Sequence, residues 1–106
     1  CDGLGLGTNT KAAIIRIGMC EMKLFATTFF RGIREETFWD SCGFADLVTT
    51  CFGGRNRAIA EKFVTTRKSW AELEESMLNG QKLQGTLTAI DVDEFINSLG
   101  EGTALA

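Results

Sequence analysis

A short stretch in the middle of the chain combines side chains that could bind an anion. Asp46 and Thr50 lie one helical turn apart, and the pair Gly53-Gly54 is followed directly by Arg55 and Asn56. Side chains at i and i+4 share a helix face, so the row that begins at Asp46 runs toward the glycine pair. Glycine allows a sharp turn or a close approach of a ligand to the backbone. We interpret this stretch as a candidate phosphate site.

The residues after the glycine pair predict the start of another helix. Apolar residues resume helical spacing between positions 59 and 64, which makes Asn56 the predicted N-cap. A helix N-terminus offers unpaired N–H groups and positive partial charge, and an arginine fork matches the oxygens of a phosphate. The same pattern also fits an ordinary connection between two helices. The local residues leave both interpretations open.

The elements that must position this stretch are all predicted to be helices. The chain has no proline, and its 12 glycines concentrate at the predicted joints. Ser69 and Glu72 have the spacing of a capping box, and Asn79-Gly80 is a typical helix end. The predicted helices cover about 11–31, 36–43, 46 to the glycine pair, 56–66, 70–78 and a last helix that contains 90–99 and ends near Gly100. The fold class is therefore all-α.

Two of these helices carry apolar faces that we expect to point inward. The first helix is expected to be largely buried and to stop at Gly32, and the second apolar face precedes the glycine pair. The two faces consist of Ile15, Met19, Met22, Ala26 and Phe29, and of Phe44, Leu47, Val48, Cys51 and Phe52. Leu73 and Met77 are further residues expected to point inward.

The glycine-rich entry does not match a nucleotide-binding loop. Gly3, Gly5 and Gly7 alternate, but neither G-x-G-x-x-G nor the phosphate-loop pattern is completed. We interpret the segment as a turn that passes close to a neighbouring element, followed by a helix cap at Thr8 or Asn9.

Composition and charge narrow the functional classes. The 106 residues have a net charge of -3, which disfavours a broad nucleic-acid surface. No apolar stretch approaches the roughly 20 residues of a membrane span, and no leader or lipidation motif is visible, so we expect a cytoplasmic protein that binds neither nucleic acid nor membrane. The first residue is Cys rather than Met, which suggests a fragment.

Metal binding is not expected. The chain has no histidine, and its four cysteines lack C-x-x-C spacing. Cys20, Cys42 and Cys51 fall in apolar segments, so we expect buried, reduced thiols. The acidic run 91–94 does not follow the order of a calcium loop and is assigned to a helix surface.

Three ordered blocks of the chain are similar to one known family. The blocks are CDGLGLGTNTKAA (residues 1–13), SCGFADLVTTCFGGRNR (41–57) and NGQKLQG (79–85). On these residues the chain resembles the cytosolic NAD-dependent glycerol-3-phosphate dehydrogenases. The resemblance implies that 1–106 is part of a helical substrate-binding domain of the 6-phosphogluconate-dehydrogenase-like C-terminal type, and that the N-terminal Rossmann domain is absent from the chain. It also implies a homodimer.

The resemblance further implies a role for each site residue. Asp46 would orient and charge a catalytic lysine that lies upstream of Cys1 in the family, and Thr50 would be its polar neighbour. Arg55 and Asn56 would hold glycerol 3-phosphate or dihydroxyacetone phosphate, and Arg55 would also touch NAD.

The polar loop 81–85 acquires a function only through the resemblance. Its local pattern is that of a solvated connector. In the family the loop lies against the nucleotide, so Lys82 and Gln84 are implied contacts to NAD, through a cation and an amide.

The implied reaction is reversible hydride transfer between NAD and C2 of glycerol 3-phosphate, and we expect this chain to be inactive by itself. Two alternatives remain. A related two-domain dehydrogenase acting on another hydroxy acid would use the Arg-Asn pair for a carboxylate. A noncatalytic helical interaction module would retain the framework without the activity.

Overall fold

A computed structural model describes residues 1–99, and within this range the chain forms only helices, turns and loops. The predicted all-α class is confirmed. The α-helices are α1 (Thr8–Phe29), α2 (Glu35–Trp39), α3 (Asp46–Gly53), α4 (Arg55–Thr66), α5 (Trp70–Leu78) and α6 (Gln84–Ser98). A 3₁₀ turn (Asp2–Leu4) precedes α1, and a single π-helical turn (Ser41–Ala45) leads into α3.

The helices fall into two compact units. The first unit is Cys1–Lys68, and the second begins at Ser69. In the first unit α1 packs against α2 and α3, α3 packs against α4, and the 3₁₀ turn packs against α4. An ion pair between Lys23 and Glu35 adds a link between α1 and α2.

Several predicted helix ends are wrong by a few residues. Gly7, in extended conformation, is the N-cap of α1 rather than Thr8 or Asn9, because its carbonyl accepts the N–H of Lys11 at 3.2 Å. At the other end α1 stops at Phe29, since Phe30 is already extended, and Gly32 lies beyond with φ 75°.

The last helix begins earlier than its apolar pattern indicates. Gln84 is its first residue, so Gln84 and Gly85 are helical and not part of a loop. The first turn is polar and carries no periodic signal, but the hydroxyl of Thr86 donates to the carbonyl of Leu83 at 2.8 Å and closes the helix start. The predicted end near Gly100 lies outside the described residues.

The expected burial of the two apolar faces is confirmed only in part. On the first face Met19 is buried and Ile15, Ala26 and Phe29 are half-buried, whereas Met22 is exposed. Ile14, Ile17 and Leu24 of α1 are also exposed, so the expectation that this helix is largely buried is wrong. The main packing partners of the helix are α2 and α3, and much of its circumference is uncovered. The second face is also open. Phe44 and Phe52 are exposed, and Leu47, Val48 and Cys51 are half-buried.

Several aromatic side chains line an open groove in the first unit. This groove, of about 480 Å³, is bordered by Phe44, Val48 and Phe52 of the second face together with Met19 and Trp39. The rings of Trp39 and Phe44 pack at a centroid distance of 6.0 Å. The apolar spacing therefore correctly grouped Phe44, Val48 and Phe52, but their neighbours do not enclose them.

The buried core residues are few. Leu73 is buried in α5, as predicted, and Ile59 is fully buried in α4. Met77 is exposed, contrary to the prediction. The capping box at the start of α5 is confirmed, since the Ser69 hydroxyl accepts the Glu72 N–H at 3.3 Å and the Glu72 carboxylate accepts the Ser69 N–H at 2.8 Å.

The cysteines are not core residues. All four are unpaired thiols, as expected, but Cys20 and Cys42 are exposed and Cys1 and Cys51 are half-buried. Cys20 lies on the open side of α1, where its sulfur accepts a long contact of 3.9 Å from Arg16. Apolar surroundings in the sequence did not translate into burial because the adjacent helix faces are themselves exposed.

The 3₁₀ turn is attached to α1 and α4 by charge. Asp2 accepts a hydrogen bond from Lys11 at 2.7 Å, and the same carboxylate oxygen lies 2.9 Å from Nε of Arg57. Arg57 also donates to Glu61 at 2.7 Å. A Cβ at Gly3 would lie 2.8 Å from Cβ of Val64, so the turn lies directly on α4. The close passage expected for the glycine-rich entry is confirmed.

The Asp2 contacts predict an acid-sensitive stability. The hydrogen bond from Lys11, then the charges of Lys11 and Arg57, lower the pKa of Asp2 despite the opposing effect of partial burial. Because the folded pKa lies below that of the unfolded chain, about 3.9, the stabilisation is complete above that pH and is lost as the pH falls through the folded value. We expect Asp2→Asn to lower the free energy of unfolding at pH 7, with a difference from wild type that shrinks below about pH 4. Denaturant unfolding across pH 2–7 measures this.

Asp91→Asn, which removes an exposed carboxylate of α6 outside these contacts, is the control. A difference for Asp2→Asn that does not change with pH would contradict the ion-pair explanation.

Candidate functional site

Asp46 and Thr50 occupy the helix that enters the candidate site. Asp46 is the first residue of α3 and is exposed, while Thr50, one turn later, is half-buried. The shared face that their spacing predicted is therefore present. An exposed carboxylate at this position remains accessible to a cationic partner.

The π-helical turn before α3 determines where Asp46 emerges. Gly43, in its centre, is buried, and a Cβ there would clash with the carbonyl oxygen of Phe38. The backbone of the turn therefore presses against the end of α2, and only glycine fits. A π turn changes the helical phase relative to continuous α-helix, so the direction of Asp46 depends on this contact.

The junction between α3 and α4 is a single residue. The N–H of Gly54 donates to the carbonyl of Thr50 at 3.0 Å, and its carbonyl accepts the N–H of Ala58 at 3.1 Å. A Cβ at Gly54 would lie 2.7 Å from the Thr50 carbonyl oxygen and 3.1 Å from Cγ2 of Thr50. The last turn of one helix and the first turn of the next are thus held together through the Gly54 backbone.

Arg55 and Asn56 are the first two residues of α4, and both are exposed. The predicted N-cap at Asn56 is wrong. Gly54 is the N-cap, because its extended backbone, with ψ 158°, already places its carbonyl in the first helical hydrogen bond. Arg55 and Asn56 therefore belong to the first turn of α4 itself.

Thr50 and Asn56 border a cavity of about 370 Å³ in the first unit. Its two cationic side chains are neutralised, since Lys11 pairs with Asp2, and Arg57 pairs with Asp2 and Glu61. The ammonium of Lys11 also lies 4.2 Å from the centre of the Phe52 ring. Arg57 is ion-paired, and Arg55 stands outside this network at the exposed helix start.

Lys82 and Gln84 belong to the second unit. They flank the buried Leu83 at the start of α6, and both are exposed. Lys82 is 71% exposed and lies 3.3 Å from the Glu74 carboxylate. The structure thus groups Asp46, Thr50, Arg55 and Asn56 within the first unit.

Sequence reasoning missed Glu74. Its carboxylate accepts the backbone N–H of Leu83 at 3.1 Å and also contacts Lys82, although it is buried to 7% exposure. Glu72 is marked by its capping-box spacing from Ser69, but nothing in the spacing distinguishes Glu74 from Glu75 in the same acidic helix. The hydrogen bond from Leu83, followed by the contact with Lys82, lowers the pKa of Glu74 although burial opposes the shift.

A metal site and a membrane-spanning helix are both absent from the described range. No group of three or more His, Cys, Asp or Glu side chains within residues 1–99 could hold a metal ion. Over the same residues, no helix has the length and apolar character to cross a membrane.

Comparison with known proteins gives consistent matches. A family model described as the NAD-dependent glycerol-3-phosphate dehydrogenase C-terminus matches residues 1–105. The cytoplasmic glycerol-3-phosphate dehydrogenase [NAD(+)] of Drosophila melanogaster is 56% identical over 99 residues, which are 93% of this chain and 27% of that protein. The Rattus norvegicus protein of the same name is 55% identical over 101 residues, or 94% of this chain and 29% of that protein.

A solved structure is also similar. It is a Plasmodium falciparum glycerol-3-phosphate dehydrogenase, with a TM-score of 0.83 and 46% identity, and the match covers 94% of this chain and 29% of that one. The chain therefore spans less than a third of the length of the proteins it matches.

Substitution by alanine should have opposite effects on stability at the adjacent residues Gly53 and Gly54. Gly54→Ala brings a methyl group to 2.7 Å from a backbone oxygen and should destabilise the chain by about 1–3 kcal/mol, as overpacking does. Gly53→Ala, the matched control, meets nothing within 4 Å at a helical position and should stabilise by up to about 1 kcal/mol. Denaturant unfolding of both variants compares them. Equal effects would show that close contact at Gly54 is unimportant.

Proposed function

Because this chain belongs to the family of NAD-dependent glycerol-3-phosphate dehydrogenases, we propose that it is the substrate-binding part of an enzyme that oxidises sn-glycerol 3-phosphate to dihydroxyacetone phosphate with NAD. Residues 1–106 are then part of a helical C-terminal domain, and the Rossmann domain that binds the nucleotide lies in another segment of the enzyme. The observation that carries the proposal is the Gly54 junction, which links the Asp46–Thr50 row to Arg55 and Asn56.

The start of α4 suits a phosphate dianion. Arg55 is exposed, is outside the neutralised Lys11–Arg57 network and offers a planar fork for two oxygens. The α4 N-terminus adds positive partial charge within one turn of the same position. Asn56, beside it, supplies an amide that donates to a phosphate or hydroxyl oxygen. In this proposal both residues hold the substrate phosphate end.

Asp46 and Thr50 act nearer the reacting carbon. Asp46 is an exposed carboxylate, suited to orient the ammonium group of a lysine supplied by another segment of the enzyme. That lysine takes the proton from the C2 hydroxyl during oxidation and returns it during reduction. Thr50 adds a hydroxyl one turn along, which orients the same groups by hydrogen bonding.

The donors at the start of α6 fit the cofactor. Lys82 presents a well-exposed ammonium group, which suits a pyrophosphate, and Gln84 presents an exposed amide, which both donates and accepts. Arg55 is the third proposed contact. When bound, NAD supplies the hydride acceptor. Lys82, Gln84 and Arg55 hold the cofactor, and the lysine that Asp46 orients transfers the proton.

We assign the complete enzyme to the cytoplasm as a homodimer. The relatives are named cytoplasmic. Large apolar side chains such as Trp39 and Phe52 are exposed on the first unit, and contiguous exposed apolar surface is typical of sites that bind another protein surface. Sedimentation of the complete enzyme measures the oligomeric state.

Arg55→Ala in the complete enzyme should reduce kcat/KM for glycerol 3-phosphate roughly tenfold to hundredfold, since a charge-assisted hydrogen bond contributes about 1.5–3 kcal/mol. The loss should be much smaller with a substrate truncated at its phosphate. Added phosphite should activate the wild-type enzyme toward that truncated substrate and the variant only weakly. Initial-rate kinetics with both substrates measure these differences.

Arg31→Ala, which removes an exposed arginine outside the candidate site, is the control and should leave the kinetics unchanged. Equal losses for Arg55→Ala with and without the substrate phosphate would exclude phosphate binding. Selective loss with a carboxylate substrate would assign the site to another hydroxy acid.

The isolated chain should not catalyse the reaction. The chain contains Asp46, Thr50 and the proposed phosphate site. In this proposal the proton-transferring lysine and the Rossmann domain belong to other segments of the enzyme. Incubation of the 106-residue chain with glycerol 3-phosphate and NAD should produce no NADH, measured by absorbance, while the complete enzyme does. Turnover by the chain alone would contradict this division of roles.

A further inference from the structure

Both ends of the connection between α5 and α6 are hydrogen-bonded to one residue. At its beginning the N–H of Gly80 donates to the backbone carbonyl of Glu74 at 3.1 Å. At its end the N–H of Leu83 donates to the Glu74 side chain, also at 3.1 Å. Asn79 and Gly80 have positive φ values of 51° and 78°, so the chain reverses sharply between these two contacts. Glu74 therefore closes the loop into a fixed ring.

The second contact also determines the start of α6. Leu83 is the N-cap of that helix, and no side chain from within the helix caps it. A capping box uses a glutamate of the same helix to accept the N-cap N–H. Here Glu74, which belongs to the neighbouring helix α5, accepts the N-cap N–H of α6 instead. Its negative charge is favourable at a helix N-terminus. The hydrogen bond from Leu83, followed by the contact with Lys82, lowers the pKa of Glu74 although burial opposes the shift, so the carboxylate is ionised at neutral pH.

The clamped residue lies between the two proposed cofactor contacts. Leu83 is 4% exposed, whereas its neighbours Lys82 and Gln84 are both exposed. Because the Leu83 backbone is held by Glu74, the directions in which Lys82 and Gln84 leave the chain are restricted. The second carboxylate oxygen of Glu74 lies 3.3 Å from Nζ of Lys82 and restricts that side chain directly.

We infer that Glu74 is a positioning residue for the dinucleotide: it holds Leu83 through the backbone N–H and orients Lys82 toward the pyrophosphate. The inference rests on the proposed function, because it presupposes that Lys82 contacts NAD. Glu74 itself does not touch the cofactor in this arrangement. Its substitution should therefore weaken cofactor binding through Lys82 and Gln84, with little effect on the bound substrate.

The test uses the complete enzyme and titration of NADH by fluorescence. Glu74→Gln keeps an oxygen for the Leu83 N–H but loses the attraction for Lys82, so it should raise the Kd for NADH several-fold. Glu74→Ala removes both contacts and should raise it about tenfold or more. The KM for glycerol 3-phosphate and kcat should stay within about twofold of wild type. Glu75→Gln, an exposed glutamate next along α5, is the matched control and should bind NADH normally.

A double-mutant cycle separates positioning from a structural role. Lys82→Met should weaken NADH binding by itself, and adding Glu74→Gln should then have no further effect, since the two act in one contact. Equal effects of Glu74→Gln with and without Lys82→Met would overturn the inference while leaving the proposed function intact. So would tighter NADH binding by Glu74→Gln, which would mean that Glu74 competes with the pyrophosphate for Lys82.

Failure of the proposed function has a different signature. If Lys82→Met alone leaves the Kd for NADH unchanged, Lys82 does not contact the cofactor, and the inference about Glu74 falls with that assignment. Circular dichroism and thermal unfolding of each variant establish that it is folded. If Glu74→Ala does not fold, Glu74→Gln decides the question alone.

Discussion

The backbone of Gly54 is the constraint on which the first unit's candidate site depends. One peptide unit ends α3 through a hydrogen bond to Thr50 and begins α4 through a hydrogen bond from Ala58. There is no room for a side chain between them. As a consequence, α3, with its row of carboxylate and hydroxyl groups, and the cationic N-terminus of α4 form a single rigid arrangement. No flexible loop between them has to become ordered when a ligand binds.

In the second unit the connection between two helices is also held in place, but by a different kind of contact. Its loop between α5 and α6 contains several residues, so proximity alone does not hold it. A buried glutamate at position 74 holds both ends, one through its backbone carbonyl and one through its carboxylate. In each unit, exposed polar groups are thus supported by less exposed backbone contacts. Such support is what a binding site needs if its side chains are to keep their directions.

The sequence predicted the existence of helices better than their burial or their ends. Apolar spacing correctly located α3 and α4, and the capping box located α5, yet Met77 and Phe52 are exposed. The start of α6 was missed because its first turn, at Gln84, is polar. The N-cap at Asn56 was misplaced by two residues, since Gly54 caps through its backbone and presents no side chain to mark the position.

The sequence by itself determined the helical class and the capping box at Ser69, because these follow from local spacing and residue type. It also proposed Asp46, Thr50, Arg55 and Asn56 as candidate residues, on local spacing together with the family resemblance. Tertiary structure alone decided that Glu74 holds Leu83 and Lys82, and that Asp2 joins Lys11 to Arg57. These contacts connect residues that are up to 55 positions apart, between Asp2 and Arg57. No periodic pattern encodes them, since they depend on how the intervening turns bring separate helices together.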